Sequence, residues 1–382
     1  MVRGRAGLLG DAIVATLADD RTIPGESLMY VRGVAAYDRE TLSPRWERAG
    51  VAGVSAVDGD RIYSYGRAGV LLALNASGAD LWRSALPDDR SEPARARGDL
   101  GAPFEADVVT LGDDLFAAAG GEVLKLSKTT GEIQGRARAC TPPRGVVGRL
   151  AASADALYAT CMDRSPRDDE TAPADWLWEG SPPLSLRRLY GGALVALSPS
   201  LEVRFRLDLD ALGLFPGDRA PVPLLNGRRV ALAAGKTRSE SGWRAVDSGA
   251  IVLFIEAGSG DIVARQEVEG GFRDAVPCLN GEGLLAGTSL LDAQSEAVVR
   301  RFELSAADLE PIAPVAQDGV ALLAGARGLF SLDLQTGHLS PSGDYGLPER
   351  ARVTTPLVAT TDSAYLGIDT GGNARLVAVR LR

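Results

Sequence analysis

The sequence predicts an all-β protein, a β-propeller of about eight four-stranded blades, with seven blades as the alternative count. One short pattern, two alternating apolar residues followed by a polar residue and a turn, recurs eight times along the 382 residues. Apolar residues alternate with a period of two, and no segment shows a sustained 3.6-residue period with helix caps. Glycine is abundant (45 residues) and aromatic residues are few (5%), which suits short strands joined by tight turns.

The polar residue that ends each copy of the pattern is called the anchor here. The three shortest spacings between successive anchors are 36, 37 and 41 residues, which is about the length of four strands with their turns. The anchors are Asp38, Asn75, Ser127, Ser198, Glu256, Asp292, Asp333 and Arg380.

Three other apolar segments accompany each anchor, so that each unit has four strands, A to D from the axis outward. In one unit they are GVSAV (53–57), RIYSYG (61–66) and DLWRS (80–84). A single blade of this kind cannot bury its apolar faces, so the blades must stack into a ring. We therefore expect residues 1–382 to form a single domain, with blades at about 7–48, 53–86, 104–139, 148–208, 220–268, 274–304, 311–342 and 352–382.

The unit at 54–83 resembles the PQQ-like (quinoprotein-type) repeat. In that family a strand ends in L-x-A-L-D/N, a TG turn follows, and a tryptophan closes the last strand. The resemblance spans nearly the whole chain and implies the propeller fold, but it is weak for any function. The matching residues are Ala73, Leu74, Asn75, Gly78 and Trp82 in this unit, Tyr37, Asp38 and Trp46 in the first, Phe205 in the fourth, and the turns Thr130-Gly131 and Thr336-Gly337.

The PQQ-like family contains both scaffolds and enzymes. The resemblance to its outer-membrane-assembly lipoprotein, which has a similar length, implies a protein that docks onto a partner. Its quinone-dependent dehydrogenases are longer and use adjacent cysteines, a tryptophan floor, an acidic Ca²⁺ site and a catalytic aspartate. This chain has no adjacent cysteines, and Asp107 and Asp274, near inner strands, have no partner cluster. We therefore expect no catalytic residue, no metal and no cofactor.

The last repeat has only three apolar segments before the sequence ends: TPLVA (355–359), AYLGID (364–369) and LVAVRLR (376–382). Propellers commonly complete their last blade with a strand from the other terminus. Residues 1–6 are too few for this if residues 7–10 begin blade one. We therefore expect a further strand, with an export signal, upstream of residue 1.

Six long insertions are predicted to share one face of the propeller, the face formed by the B–C and D–A connections. Long loops on a rigid scaffold usually carry binding, although insertions also drift freely in solvent. We expect this face to bind a protein partner. An enzyme or small-molecule binder that uses the central funnel of the same face, with Asp163, Arg164, Asp175 and Arg187, stays open as the alternative. The insertions are 19–32, 86–103, 140–148, 162–191, 208–220 and 235–249.

Two insertions carry the candidate binding residues. Exposed tryptophan and arginine are favoured interface anchors, although tryptophans can also simply pin a loop to the propeller rim. The acidic run 168–170 lacks the alternating ligands and glycine of a Ca²⁺ loop, so no metal is expected there. The candidates are Trp176, Trp178, Arg187 and Arg188 in 162–191, and Trp243 and Arg244 in 235–249.

With only three cysteines and one histidine, the chain has too few ligands for a usual zinc site and few residues for a His-based catalytic triad. Cys140 lies at the end of one blade and Cys161 in the next. They are either a disulfide in an oxidising compartment or two separate buried thiols. Cys278, in an inner strand, is expected in the core.

Charge argues against nucleic acid as a partner, and hydropathy argues against a membrane-spanning segment. The net charge is −9 without a basic stripe, so nucleic acid is not an expected partner. No apolar run is long enough to span a membrane. Asp11 interrupts the N-terminal apolar stretch, which is therefore not a convincing signal peptide. Two locations therefore stay open. The protein is cytoplasmic, or it is extracytoplasmic and an upstream signal has been removed.

Overall fold

The computed structural model contains eight antiparallel β-sheets, which confirms the predicted eight-bladed all-β propeller. Consecutive sheets contact one another, and β1 of the first sheet contacts the last sheet, so the ring closes. The structure describes residues 2–23, 26–66, 69–87, 107–141, 145–164, 189–216, 220–224, 227–240, 243–269, 275–304, 309, 314–317, 319–346, 352–355, 357–369 and 374–381.

The first four blades are simple four-stranded meanders. Their strands are β1 (Val2–Leu9), β2 (Ala12–Ile23), β3 (Glu26–Asp38) and β4 (Pro44–Ala49); β5 (Val51–Asp58), β6 (Arg61–Gly66), β7 (Val70–Leu74) and β8 (Asp80–Ala85); β9 (Val108–Leu111), β10 (Asp114–Ala119), β11 (Glu122–Ser127) and β12 (Ile133–Arg138); β13 (Gly145–Ala152), β14 (Leu157–Arg164), β15 (Leu189–Leu197) and β16 (Val203–Asp208).

In blades five and eight the inner strand is split into two short pieces, which pair with the same edge of the second strand. The strands are β17 (Leu214–Phe215), β18 (Val222–Pro223), β19 (Arg229–Glu240), β20 (Trp243–Glu256) and β21 (Ile262–Val268); β22 (Val276–Cys278), β23 (Gly283–Ala286), β24 (Ser289–Asp292) and β25 (Val298–Arg301); β26 (Val315–Gln317), β27 (Val320–Ala324), β28 (Gly328–Asp333) and β29 (Leu339–Asp344); β30 (Arg352–Val353), β31 (Val358–Ala359), β32 (Ser363–Asp369) and β33 (Ala374–Arg380).

The hydrophobic core lies between adjacent blades. The second and third strands are buried on both faces, because a blade packs against each side of them; Tyr63 and Leu71 of blade two, for example, share a cluster with Leu115 and Leu124 of blade three. A strand buried on both faces reads as a continuous apolar run, which is why these segments stand out in the sequence. Helix is confined, in the described part of the chain, to one 3₁₀ turn at Leu279–Gly281, and no described helix is long and apolar enough to cross a membrane.

Six of the anchors begin C–D turns that their own side chains close by hydrogen bonds: Asp38, Asn75, Ser127, Ser198, Asp292 and Asp333. Asp38 Oδ1 accepts hydrogen bonds from the backbone N–H of Glu40 and Thr41, and Asp333 Oδ1 does the same for Gln335 and Thr336. This is the side-chain chemistry for which Asp, Asn and Ser are favoured in turns. In all seven blades with a described outer strand, five residues separate the third and fourth strands.

One residue of each outer strand, called the clasp residue here, is placed against the C–D turn of the next blade. Each described C–D turn contains one residue with a positive φ, and the clasp residue of the same blade follows it four positions later in the sequence. Trp46 and Trp82 each donate an indole N–H at 2.8 Å to a backbone oxygen of the next turn, Ala76 O and Lys128 O. In four blades the clasp residue is large and meets a glycine in the next turn: Trp46 at Gly78, Trp82 at Gly131, Phe205 at Gly260 and Arg300 at Gly337.

Two blades reverse these sizes. The clasp position of blade three is Gly135, and the next turn carries Leu201 with φ 68°, where a glycine would be usual. A Cβ at Gly135 would lie 3.4 Å from Leu201 Cδ1. The clasp position of blade five is Ala264, and the next turn carries Glu296 with φ 60°. A large residue on one side of the contact is thus matched by a small one on the other.

Three strand layers of blade eight are described. One edge of β33 pairs with β32 from Ala374 to Arg380, and no strand among the described residues pairs with the other edge. The three apolar segments of the last repeat are thus the inner, second and third layers of this blade.

Candidate binding face

The two faces of the propeller differ in how far the chain extends from them. Antiparallel succession places all A–B and C–D turns on one face, called the turn face, and all B–C and D–A connections on the other, called the hairpin face. The described turns of the turn face span two to five residues between strand ends. On the hairpin face the B–C hairpins of blades one and five extend beyond the neighbouring strands by several residues.

The hairpin of blade one forms the first arm. Its strands pair as far as Ile23 and Glu26, whereas the pairing of β1 reaches only Leu17 and that of β4 only Gly33. Residues 18–23 and 26–32 therefore form a two-stranded arm, about 20 Å long at 3.4 Å per residue. The insertion predicted at 19–32 is a β-hairpin and not an irregular loop.

The hairpin of blade five forms a second arm. β19 and β20 pair up to Glu240 and Trp243, while the outer strand pairs with β20 only from Ala250 onward. Trp243 and Arg244, predicted as binding residues, lie at the tip of this arm, where their backbones pair with Glu240 and Ser239.

The hairpin of blade four leads into the most distinctive insertion. β14 ends at Arg164 and β15 begins at Leu189. The predicted residues Trp176, Trp178, Arg187 and Arg188 lie between them, outside the described residues, and so do the acidic run 168–170 and Asp175. Asp163 and Arg164, named for the funnel alternative, are the last residues of β14, paired in register with Tyr190 and Leu189.

Blade four is fastened to blade three by covalent and polar contacts near the insertion. Cys140, which follows the outer strand of blade three, is joined to Cys161 of β14 by a disulfide with a Cα–Cα distance of 5.4 Å. Arg206 of β16 donates to Ala139 O at 2.8 Å and to Thr141 Oγ1 at 2.9 Å. The segment 139–141 is thus held by two strands of blade four, one of which leads into the insertion.

The acidic residues named as metal candidates do not form a cluster in the described residues. Asp107 is buried, and its Oδ2 accepts a hydrogen bond from Leu150 N at 2.9 Å, which links the inner strands of blades three and four. Asp274 lies outside the described residues. Within those residues, no group of three or more His, Cys, Asp or Glu side chains could hold a metal ion.

The carboxylates whose pKa values are displaced lie in turns and ion pairs. The Arg45 guanidinium, and next the N–H of Thr41, hold the pKa of Asp38 far below its usual range. The backbone N–H groups of Ser295 and Thr336 lower the pKa values of Asp292 and Asp333. These shifts reflect groups that hold the turn face together, since each partner belongs to the turn or to its own blade.

A cavity of about 350 Å³ opens on the turn face, beside the inner strands of blades five to seven. Its lining includes Pro223, Pro277 and Cys278 and the turn Leu279–Gly281, in which all three residues have positive φ. Burial raises the pKa of the Cys278 thiol to about 11. The sequence analysis missed this cavity, because two of the three left-handed residues, Leu279 and Asn280, are not glycine and give little signal for such a turn.

Comparison with known proteins supports the repeat family. Residues 12–163 match the family model described as "Outer membrane protein assembly factor BamB". No curated protein sequence matches the chain.

The chain also matches three solved structures, two of them with TM-scores above 0.5. BamB from Moraxella catarrhalis is 13% identical, with a TM-score of 0.45, over all of this chain and 85% of that one. Quinohemoprotein alcohol dehydrogenase from Comamonas testosteroni is 10% identical, with a TM-score of 0.58, over all of this chain and 74% of that one. The Dos1 propeller is 10% identical, with a TM-score of 0.54, over 99% of this chain and 92% of that one. At these identities the likeness concerns the fold alone.

Two structural features agree with the family match over residues 12–163. They are the clasp tryptophans and the C–D turns closed by anchors. The chain is a β-propeller that resembles the PQQ-like repeat family, and its match within that family is to the outer-membrane assembly factor.

Proposed function

We propose that the protein is a protein-interaction scaffold whose hairpin face binds a partner protein. The observation that carries this proposal is the asymmetry of the two faces. Arms extend from blades one and five on the hairpin face, and the long insertion of blade four begins and ends on the same face. The described C–D turns of the opposite face keep one length of five residues. Extensions confined to one face of a rigid ring form a concave surface suited to a large ligand.

Two further observations support this proposal. The disulfide and Arg206 fix the segment 139–141 beside β14, so the strand that leads into the blade-four insertion is held in place before binding, which lowers the entropy cost of binding. The match to an assembly factor over residues 12–163 also favours a protein partner.

Arm-shortened variants test the proposal. In each variant an Asn-Gly turn replaces the arm of blade one, the insertion of blade four or the arm of blade five. The turn joins two residues that are already paired in register: Leu17 to Gly33, Met162 to Gly192, or Gly235 to Ala250, respectively. The matched control exchanges the turn 257–261 on the opposite face for the equally long turn 75–79.

The measurement is affinity purification from the source cells, identification of bound proteins by mass spectrometry, and calorimetry on the purified pair. We expect a partner that binds wild type and the turn-face control and loses at least tenfold in affinity when an arm is removed. A partner that binds all three shortened variants as tightly as wild type would contradict the proposal.

Small-molecule binding is a second candidate, favoured by the cavity of about 350 Å³ beside Cys278, a volume within the usual range for ligand sites. The cavity lies on the turn face, so this candidate is independent of the arms. A thermal-shift screen of metabolites against wild type and Gln317→Trp, which fills the cavity mouth, tests it. A stabilising ligand whose effect is lost in Gln317→Trp would support it, and equal shifts in both proteins would contradict it.

A further inference from the structure

A groove of about 490 Å³ lies between blades one and two. Its lining includes Gly50, in the D–A connection, and Gly66 and Val70, at the B–C hairpin of blade two. Both connections belong to the hairpin face, so the groove opens on that face. Ala49, also in the lining, pairs with Gly33, where the arm of blade one begins. The groove is therefore at the base of this arm.

The floor of the groove is apolar and belongs to blade two. Leu72 and Val51 are buried in the cluster that joins blades one and two, and Val70 packs against that cluster. Val70 is paired across the sheet with Ala85, whose short side chain leaves the space above this pair open. A ligand in the groove would therefore meet aliphatic surface, which favours an aliphatic group on the ligand.

Two arginines converge on the groove from opposite blades. Arg48 lies two positions after Trp46 in β4 and so faces blade two, as Trp46 does. Arg83 is paired in register with Leu72 and therefore faces blade one. Arg48 Nη2 lies 2.9 Å from Asp80 Oδ1, and Arg83 Nε lies 2.7 Å from Oδ2 of the same carboxylate. One carboxylate thus holds two guanidinium groups, which leaves one net positive charge beside the groove.

Asp80 positions both arginines without using all of their donors. The side chain of Asp80 is 26% exposed, and those of Arg48 and Arg83 are 33% and 57% exposed. Within the described part of the chain, neither arginine donates to a further group. A guanidinium carries five N–H donors in a planar fork that matches a carboxylate. The remaining donors are therefore oriented and accessible for a second anion.

Blade three carries a carboxylate of its own at the corresponding place. The pair of third-strand and fourth-strand residues nearest the hairpin face is Val70 with Ala85 in blade two. In blade three it is Glu122 with Arg138, whose side chains form an ion pair that leaves only 17% of the Glu122 side chain exposed. This position of the ring thus accommodates a carboxylate bound to arginine. In blade two, valine takes the position of the acid, and the two arginines stand beside it.

We infer that this groove binds an acidic side chain of the partner protein, in a segment where an aliphatic residue adjoins the Asp or Glu. The carboxylate accepts hydrogen bonds from Arg48 and Arg83, and the aliphatic side chain lies on Val70 and Leu72. This inference rests on the proposed function, because it names the chemistry of the partner that the hairpin face binds. Hydrogen bonds between arginine and carboxylate are among the stronger ones in proteins, and arginine is a favoured anchor of interfaces.

Selection from a phage-displayed library of random octapeptides tests the inference. Wild type is the bait, and phages that also bind the double variant Arg48→Gln/Arg83→Gln are removed. We expect the selected sequences to be enriched in Asp or Glu next to Leu, Ile or Val. One selected peptide, labelled with fluorescein, is then measured by fluorescence anisotropy, together with a matched peptide that has the amide in place of the acid.

We expect the affinity of the acidic peptide to fall at least tenfold in Arg48→Gln and in Arg83→Gln, and the amide peptide to bind wild type at least tenfold more weakly. Ala85→Leu keeps both charges and fills the groove from an exposed position, so it should also abolish binding even if a glutamine variant does not fold. The matched control is Arg265→Gln, which should bind as wild type does. Arg265 is exposed on β21 and follows its clasp residue directly, as Arg83 follows Trp82.

Two outcomes would overturn the inference. They are the absence of acidic enrichment among peptides selected on wild type, and selected peptides that bind both glutamine variants and Ala85→Leu as tightly as wild type.

The inference and the proposed function fail separately. If acidic peptides bind the groove but no partner loses affinity in the arm-shortened variants, the proposed function is wrong and the groove remains a site for acidic peptides. If a partner needs the arms but binds Ala85→Leu and both glutamine variants as it binds wild type, the proposed function holds and the assignment of the groove is wrong.

Discussion

Single residues in this propeller act through turns and through contacts between blades. The clasp contact illustrates this, since one indole both fills the space over a glycine and satisfies a backbone oxygen of the next blade. Three side chains, those of Cys278, Asp333 and Trp82, allow quantitative expectations.

Cys278 is expected to resist alkylation in the folded protein. The thiol is buried, and its pKa is raised to about 11 by burial, so about one thiol in a thousand is ionised at pH 8. Iodoacetamide at pH 8 should leave Cys278 unmodified in the native state and modify it in concentrated guanidinium chloride, as read by peptide mass spectrometry. Modification of the native protein as fast as of a cysteine peptide would contradict the expectation.

Asp333 is expected to contribute stability that disappears in acid. Thr336 N–H, the largest cause, holds its pKa below the ordinary value of 3.8. The folded state therefore binds fewer protons than the unfolded state just below pH 3.8, so the contribution is complete above that pH and is lost as pH falls through the folded pKa.

The measurement is the Tm of wild type and Asp333→Asn between pH 7 and about 2.5. The Tm of Asp333→Asn should lie below that of wild type by a constant amount at neutral pH, and this Tm deficit should shrink below pH 3.8. Asp60→Asn is the control and should show no deficit, because the Asp60 side chain is 86% exposed. A deficit that keeps its size across the whole range would show that the charge is not the cause.

At the scale of the element, the blade is defined by its anchored turn and its clasp. The anchors could be predicted because Asp, Asn and Ser close turns through local hydrogen bonds. The clasp at Trp82 could be recognised because tryptophan and TG are part of the repeat. Leu42, Leu201 and Glu296 could not be predicted in left-handed turns, because their conformation depends on the blade beside them and not on their own preference.

The size match between clasp and turn predicts a compensating pair of substitutions. Trp82→Gly should destabilise the protein by at least about 3 kcal/mol, because a buried tryptophan is lost. Gly131→Leu should also destabilise it, since a Cβ at Gly131 meets the Trp82 ring. Together they recreate the Gly135–Leu201 pair, so the double variant should be at least about 1 kcal/mol more stable than the sum of the single effects.

Denaturant unfolding of the four proteins measures this coupling. Trp82→Gly combined with Gly337→Leu is the control, because Gly337 faces Arg300 and Phe302 of another blade, and its effects should add. Additive effects in the first pair as well would show that the two sizes are not coupled.

The whole molecule is a ring in which each blade buries its neighbours' apolar faces. Its class and blade number could be predicted, because alternation and recurrence are properties of the sequence. The arms of blades one and five could not be recognised as strands, since they pair only with themselves and lie beyond the core that makes alternation visible. Counting strands predicts Trp243 and Arg244 on the B–C hairpin of blade five, and the structure has both residues there.

Blade eight is expected to be the weakest part of this ring. No described strand pairs with one edge of its third strand, and Ala378 is exposed where blades one, two and four bury an alanine. Strands with fewer buried contacts and exposed hydrogen bonds open locally at lower free energy. Hydrogen exchange read by mass spectrometry should therefore show faster exchange for peptides covering β33 than for those covering β7, the equivalent strand of blade two. Equal protection of the two strands in a protein of residues 1–382 would contradict this expectation, because it would mean that the exposed edge does not lower the local stability of blade eight.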